Sequence, residues 1–212
     1  MQYNQRPSLM LVGDSISVQL EPWLRKYLDG RILILPREGR EEALANPDLP
    51  AGANGGDSNR VLESLRQKLD AEKLRPDFTL LNCGLHDIKR SGKTGEIQVP
   101  PGLYRENLEA ICELFSSHGI RFAWIRTTGL VEAVHNSKPS LQFHRFEADH
   151  KEYDAIASAV MEVRRIPRLD LKAVSGDYKP EVFMDHVHFT DEVRSRQGAF
   201  LAGWLEREFL ST

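Results

Sequence analysis

Short apolar runs alternate along the whole chain with amphipathic stretches, and glycine or polar turns separate them. This is the rhythm of alternating strands and helices. Ser8–Val12 (SLMLV) reads as a buried strand. Residues 15–28 then set Ile16, Leu20, Trp23, Leu24 and Leu28 near helical spacing ahead of Gly30, a natural C-terminal stop. Residues 31–35 (RILIL) supply a second strand. Residues 61–74 carry Val61, Leu62, Leu65 and Leu69 on one helical face, and residues 78–83 (FTLLNC) form a third strand. Residues 103–118 group Leu108, Ile111, Cys112 and Phe115 before Gly119, and residues 121–126 (RFAWIR) are the fourth strand. A helix over 146–164 is organised around Tyr153, Ile156, Val160 and Met161. Residues 168–174 are a weaker fifth strand, and a last helix follows Thr190, an N-cap with Asp191 and Glu192 placed against the helix dipole.

Five short strands separated by helices predict an α/β fold: a doubly wound, mostly parallel sheet with helices on both faces. No internal repeat or low-complexity tract interrupts the pattern, and 212 residues suit one domain, 1–212, at roughly 100–200 residues per domain. The long irregular segments are 36–59 and 127–145, and loops of that length in a compact domain are usually functional or mobile. In open sheets of this type ligands bind at the carboxyl ends of the strands. The residues just after each strand are therefore the candidates for chemistry.

Composition narrows the choice of function. Apolar residues at 41 % and charged residues at 28 % allow a core and exclude intrinsic disorder. The 28 Lys and Arg against 31 Asp and Glu leave a net charge of −3 with no basic run, so nucleic acid is not an expected partner. No window approaches the roughly 18–20 apolar residues of a membrane span, and the start lacks the apolar core of a signal peptide. With two cysteines, Cys83 and Cys112, there is no disulfide framework or metal-ligand spacing, and a reducing cytoplasm is the expected compartment.

Three clusters follow the strands: Gly13-Asp14-Ser15 after the first, Gly84-Leu85-His86-Asp87 after the third, and Asp185-His186-Val187-His188 before the last helix. They supply a hydroxyl, a donor-bearing turn and an Asp/His pair. Hydrolysis by a serine nucleophile needs those parts: a base for the hydroxyl proton, a carboxylate to hold the imidazole, and donors for the oxyanion. Taken singly, Ser15 is as well explained as a helix N-cap, Gly55-Gly56 as a flexible turn, and Asp185 and His188 as loop residues. Asp14 reads as structural, its carboxylate turned to nearby backbone N–H groups. Gly92-Lys93-Thr94 looks like the tail of a phosphate-binding loop, but the glycine required five positions earlier is Asp87.

Together these residues resemble the SGNH or GDSL-type esterases and acylhydrolases. The first block of that family is matched by Gly13-Asp14-Ser15 and the fourth, Asp-x-x-His, by Asp185-His186-Val187-His188. The second resembles Gly55-Gly56-Asp57-Ser58, with Gly56 as the likeness to the family glycine. The third, Gly-x-Asn-Asp, appears as Gly84-Leu85-His86-Asp87, with histidine in place of asparagine. The blocks fall in family order. The resemblance implies a three-layer αβα, flavodoxin-like sheet of strand order 2-1-3-4-5, which makes the first and third strands neighbours.

It also implies roles. Ser15 would be the nucleophile, His188 the base and then the acid, and Asp185 the residue that orients the imidazole. The N–H groups of Ser15 and Gly56 would form two arms of the oxyanion hole, and His86, whose neutral ring has one N–H, the third. No cofactor or metal is called for. The expected substrate is a small-molecule or glycan ester, with a short acyl group such as acetyl, because the loops are polar and charged (37–40, 89–93, 135–138) and offer no long apolar groove. The alternatives are a metal-dependent hydrolase using Asp185, His186 and His188, and a weak relative that binds acylated glycans or transfers the acyl group. Ser15 discriminates the first, since a metal hydrolase does not need it. His186 is expected to face solvent or donate within its loop, and His118, His135, His144 and His150 to lie at the surface. Trp124, in mid-strand, is expected in the core.

Overall fold

The computed structural model describes residues 6–69 and 74–210. Its apolar runs form a five-stranded sheet of β1 (Ser8–Val12), β2 (Leu33–Ile34), β3 (Phe78–Leu81), β5 (Arg121–Ile125) and β7 (Arg168–Leu169). The order is β2-β1-β3-β5-β7, all pairs parallel. Counting only these five strands, this is the expected 2-1-3-4-5. A short antiparallel pair, β4 (Arg90–Ser91) with β6 (Phe143–His144), stands apart from the sheet.

Each strand distributes its side chains alternately to two faces, as the period of two requires. Met10, Leu81, Phe122 and Trp124 enter a core with α3 (Ser58–Leu69), α4 (Pro101–Ser117) and α6 (Glu147–Val163). Leu9, Leu11, Phe78, Leu80, Ala123 and Ile125 enter a second core with α1 (Ser15–Tyr27) and α8 (Asp191–Leu210). Trp124 is fully buried, as its mid-strand position predicts. Proline opens α4 at its first position, where the missing N–H costs no helical bond.

Several boundaries depart from the periodicity. The expected fifth strand shortens to Arg168–Leu169, because the chain turns at Asp170, whose Oδ1 accepts from the Lys172 N–H at 2.8 Å, and continues as α7 (Lys172–Ser175). The irregular segments hold short elements, α2 (Arg40–Ala45) in the first and α5 (Glu132–Asn136) with β6 in the second. Of the helix expected over 61–74, residues 70–73 lie outside the described residues. Among the described residues, no helix is long and apolar enough to cross a membrane.

Candidate active site

Register brings the separated clusters together. Val12 pairs with Leu81, so the turn after β1 lies beside the turn after β3. The Asn82 N–H donates to the Val12 carbonyl at 3.0 Å. In the first turn Asp14 is the N-cap of α1, its Oδ1 accepting the Ile16 N–H at 3.0 Å, and Ser15 is the first helical residue. Ser15 is therefore not the cap, and its own N–H, in the first turn, has no acceptor within the helix. Gly13 admits no side chain: a Cβ there would lie 2.9 Å from Ser17 Cβ and Oγ.

The last cluster is shaped by Asp185. Its Oδ1 accepts the N–H groups of Val187 and His188 at 2.9 and 2.8 Å, which folds the loop so that Oδ2 meets His188 Nδ1 at 2.7 Å. Burial would raise this carboxyl, but the hydrogen bonds from His188 outweigh it and hold Asp185 well below the usual carboxylate range. An ionised carboxylate only accepts, so Nδ1 carries the proton and Nε2 is left as an acceptor. Ser15 Oγ lies 2.8 Å from that Nε2. Ser15, His188 and Asp185 thus form a continuous hydrogen-bonded chain, and Ser15 and His188 are both buried.

The turns at 55–58 and 84–87 border it. The Gly55 N–H donates to the Gly13 carbonyl at 3.0 Å, and Arg37, unremarked among the charged loop residues of the sequence, ties the same turns together. Its Nη2 donates to the carbonyls of Gly13 and Ala53, and its Nη1 to Ser17 Oγ at 3.0 Å. Gly56 has φ +71°, and a Cβ would lie 2.6 Å from Pro50 Cβ, so only glycine fits. Its N–H donates to Asn54 Oδ1 at 3.1 Å. Asn54 is fixed in turn by Nδ2 bonds to the carbonyls of Pro47 and Leu49. Asp87 joins these two turns through the Ser58 N–H at 2.9 Å, and burial pushes its carboxyl up to about 7.

His86 is buried, and its ring makes no hydrogen bond among the described residues. Burial first, then the charges of Lys89 and Arg145, lower its pKa well below the ordinary histidine value, so the ring is neutral with one N–H to donate. Two other histidines correct the sequence reading. His186 is 4 % exposed and His135 is 0 % exposed, so neither faces solvent. Their Nδ1 atoms lie 2.7 Å apart, and His186 Nε2 lies 3.1 Å from an Asp48 carboxylate oxygen. With both ring nitrogens engaged there, His186 does not join Asp185 and His188 in a common ligand set. Among the described residues, no group of three or more His, Cys, Asp or Glu side chains is placed to hold a metal ion.

No family model matches the sequence, and no curated protein is significantly similar to it. Solved structures are similar in fold. A lipase/acylhydrolase from Enterococcus faecalis superimposes with a TM-score of 0.70 at 18 % identity, over 95 % of this chain and 96 % of that one. The chain folds as the GDSL-like acylhydrolases do. An acetyl xylan esterase is similar with a TM-score of 0.61 at 15 % identity, over 95 % of this chain and 99 % of that one. A carbohydrate acetylesterase from Sinorhizobium meliloti also gives 0.61, at 13 % identity, over 96 % and 100 %.

Sequence reading missed Asp48, Asn54, Lys89 and Arg145 as neighbours of the site. Each comes from a loop or strand end where no periodicity constrains the side chain. Only the length of segments 36–59 and 127–145 signalled that their residues matter.

Proposed function

We propose that the protein is a serine esterase that hydrolyses short-chain acyl esters, acetyl esters of carbohydrates in particular, through an acyl-Ser15 intermediate. The observation that carries this reading is the Ser15–His188–Asp185 chain, with contacts of 2.8 and 2.7 Å in the order that proton transfer needs. Ser15 Oγ attacks the acyl carbon as His188 Nε2 takes its proton. Asp185 holds the imidazole by Nδ1 and stabilises the cation that forms. His188 then returns the proton to the departing alkoxide, and water repeats the sequence in reverse to release the acid.

The negative oxygen of the tetrahedral intermediate is assigned to the Ser15 N–H and the His86 ring N–H. Gly56 is the third arm, and its N–H has to exchange Asn54 Oδ1 for the oxyanion as the intermediate forms. The preference for an acetyl group draws on the polar loops and on two similar structures described as acetylesterases of carbohydrates. The two cysteines are buried free thiols, which suits a reducing compartment such as the cytoplasm.

The test is a panel of aryl esters of rising chain length together with acetylated sugars, run with and without a serine-directed fluorophosphonate. Hydrolysis that peaks at acetyl and is abolished by label on Ser15 is expected. Activity that survives full labelling would overturn the mechanism.

A further inference from the structure

We infer that the ester taken by this site carries an anionic group, a carboxylate, sulfate or phosphate, on its alcohol side, and that Lys89 receives it. The inference rests on the ester-hydrolase reading above and names its substrate class more closely.

Three cations border the His86 turn: Lys89, Arg60 and the buried Arg145. None forms an ion pair among the described residues. Lys89 Nζ donates to the Asp48 carbonyl at 2.6 Å and lies 4.3 Å from the Phe143 ring centre. Arg145 Nε donates to the Leu85 carbonyl at 2.6 Å, while its Nη1 is buried without a partner. Arg60 is exposed, with Cδ 3.1 Å from where a Cβ on Gly56 would stand.

The carboxylates nearby already have donors. Asp48 is held by His186, Asp57 by the Arg60 N–H and Gln98, and Asp14 by the Ile16 N–H. Burial, with a smaller contribution from the Arg145 charge, pushes the Lys89 ammonium down to about 7 against the pull of Asp48, Asp14 and Asp57. Cations in that state are relieved by a bound anion.

Position selects the alcohol side. Lys89 is fastened to Asp48, Asp48 to His186, and the His186 ring centre lies 6.0 Å from that of His188. His188 is the imidazole that gives its proton to the departing alcohol. The class is therefore an acylated hydroxy acid, sugar acid, or sulfated or phosphorylated sugar.

The test compares kcat/KM for 4-acetoxybenzoate with that for its methyl ester, each corrected for its reactivity with hydroxide. 4-Nitrophenyl hemisuccinate against 4-nitrophenyl pentanoate is the acyl-side control. An anionic preference of about tenfold or more is expected in the 4-acetoxybenzoate pair only, weakening with salt. It should collapse towards one in Lys89→Met, fall in part in Arg60→Gln, and be kept in Lys89→Arg. A preference of one or less in the wild type, one confined to hemisuccinate, or one untouched by Lys89→Met would overturn the proposal. Calorimetric binding of 4-hydroxybenzoate against 4-hydroxybenzamide to folded Ser15→Ala separates the two readings. If the esters are not hydrolysed but the acid binds through Lys89, the hydrolase reading fails and the anion site stands. If neutral esters are hydrolysed and the acid gains nothing, the anion site fails alone.

Discussion

His135 and His186 meet through their Nδ1 atoms, 2.7 Å apart in the protein interior. Asp48 accepts from His186 Nε2, so His186 Nδ1 is an acceptor and His135 Nδ1 carries the hydrogen between them. His135 Nε2 is then a bare lone pair, buried without a partner. Burial first, then the charge of Arg145, lowers the His135 pKa to about 3. The folded protein therefore binds fewer protons here than the unfolded chain, and stability is lost as pH falls from about 6.5 towards 3. Asp87, raised to about 7, acts in the opposite direction between about 4 and 7. The His135 share is read by difference: the fall in Tm on acidification should be shallower in His135→Gln than in the wild type, by about 2–4 °C per kcal/mol removed. Parallel curves would show that His135 is not buried in its neutral form.

Ser15→Ala should lower ester hydrolysis on the order of 10⁶-fold. Asp14, not Ser15, caps α1, so the variant should stay folded, losing at most about 1–3 kcal/mol because the buried His188 Nε2 is left without its partner. A folded variant with near wild-type kcat, measured on the best aryl ester, would sink the nucleophile assignment. Activity that then yields to a chelator would favour a metal instead.

Replacing the two histidines of the last cluster should separate chemistry from stability. His188→Ala removes the base and should cost kcat about as much as Ser15→Ala while leaving the fold in place. His186→Ala leaves Asp48 and His135 without their partner, at about 1–3 kcal/mol for each buried group left unpaired. Its loss should appear in thermal unfolding rather than in kcat. An inactive but fully stable His186→Ala would show that the base has been assigned to the wrong histidine.

His86→Ala should lower kcat by about 10²–10³ with little change in KM, because the bond to the oxyanion strengthens mainly in the transition state. His86→Asn should recover part of the loss. The His86 pKa lies well below the ordinary value, burial being the main cause, so the ring does not titrate near neutral pH. The ratio of wild-type to His86→Ala activity should accordingly stay constant from about pH 6.5 upward. Wild-type kcat in the alanine variant would leave the oxyanion to Ser15 and Gly56.

The chain itself determined the layers and the local shape of two of the candidate motifs. Period-two strands such as Phe78–Leu81 and period-3.6 helices such as Pro101–Ser117 can bury their apolar faces only by stacking as a sheet between helices. The Gly13-Asp14-Ser15 and Asp185-x-x-His188 spacings carry their local geometry in the backbone: Asp14 caps its own helix and Asp185 folds its own loop. Both motifs were legible because these capping and loop-folding contacts lie within three residues. What only the tertiary structure decided depends on distant pairs. The 173-residue separation of Ser15 and His188 is closed by packing of α8 against α1, while the β1–β3 register brings the His86 turn beside Ser15. The burial of His135 and His186, the commitment of the Gly56 N–H to Asn54, and the pairing of Arg37 with the Gly13 and Ala53 carbonyls come from loops. A polar side chain in a loop reads the same in sequence whether it meets water or another segment. Its role is fixed by which segment the folded sheet brings against it, and that proximity has no local periodic signature.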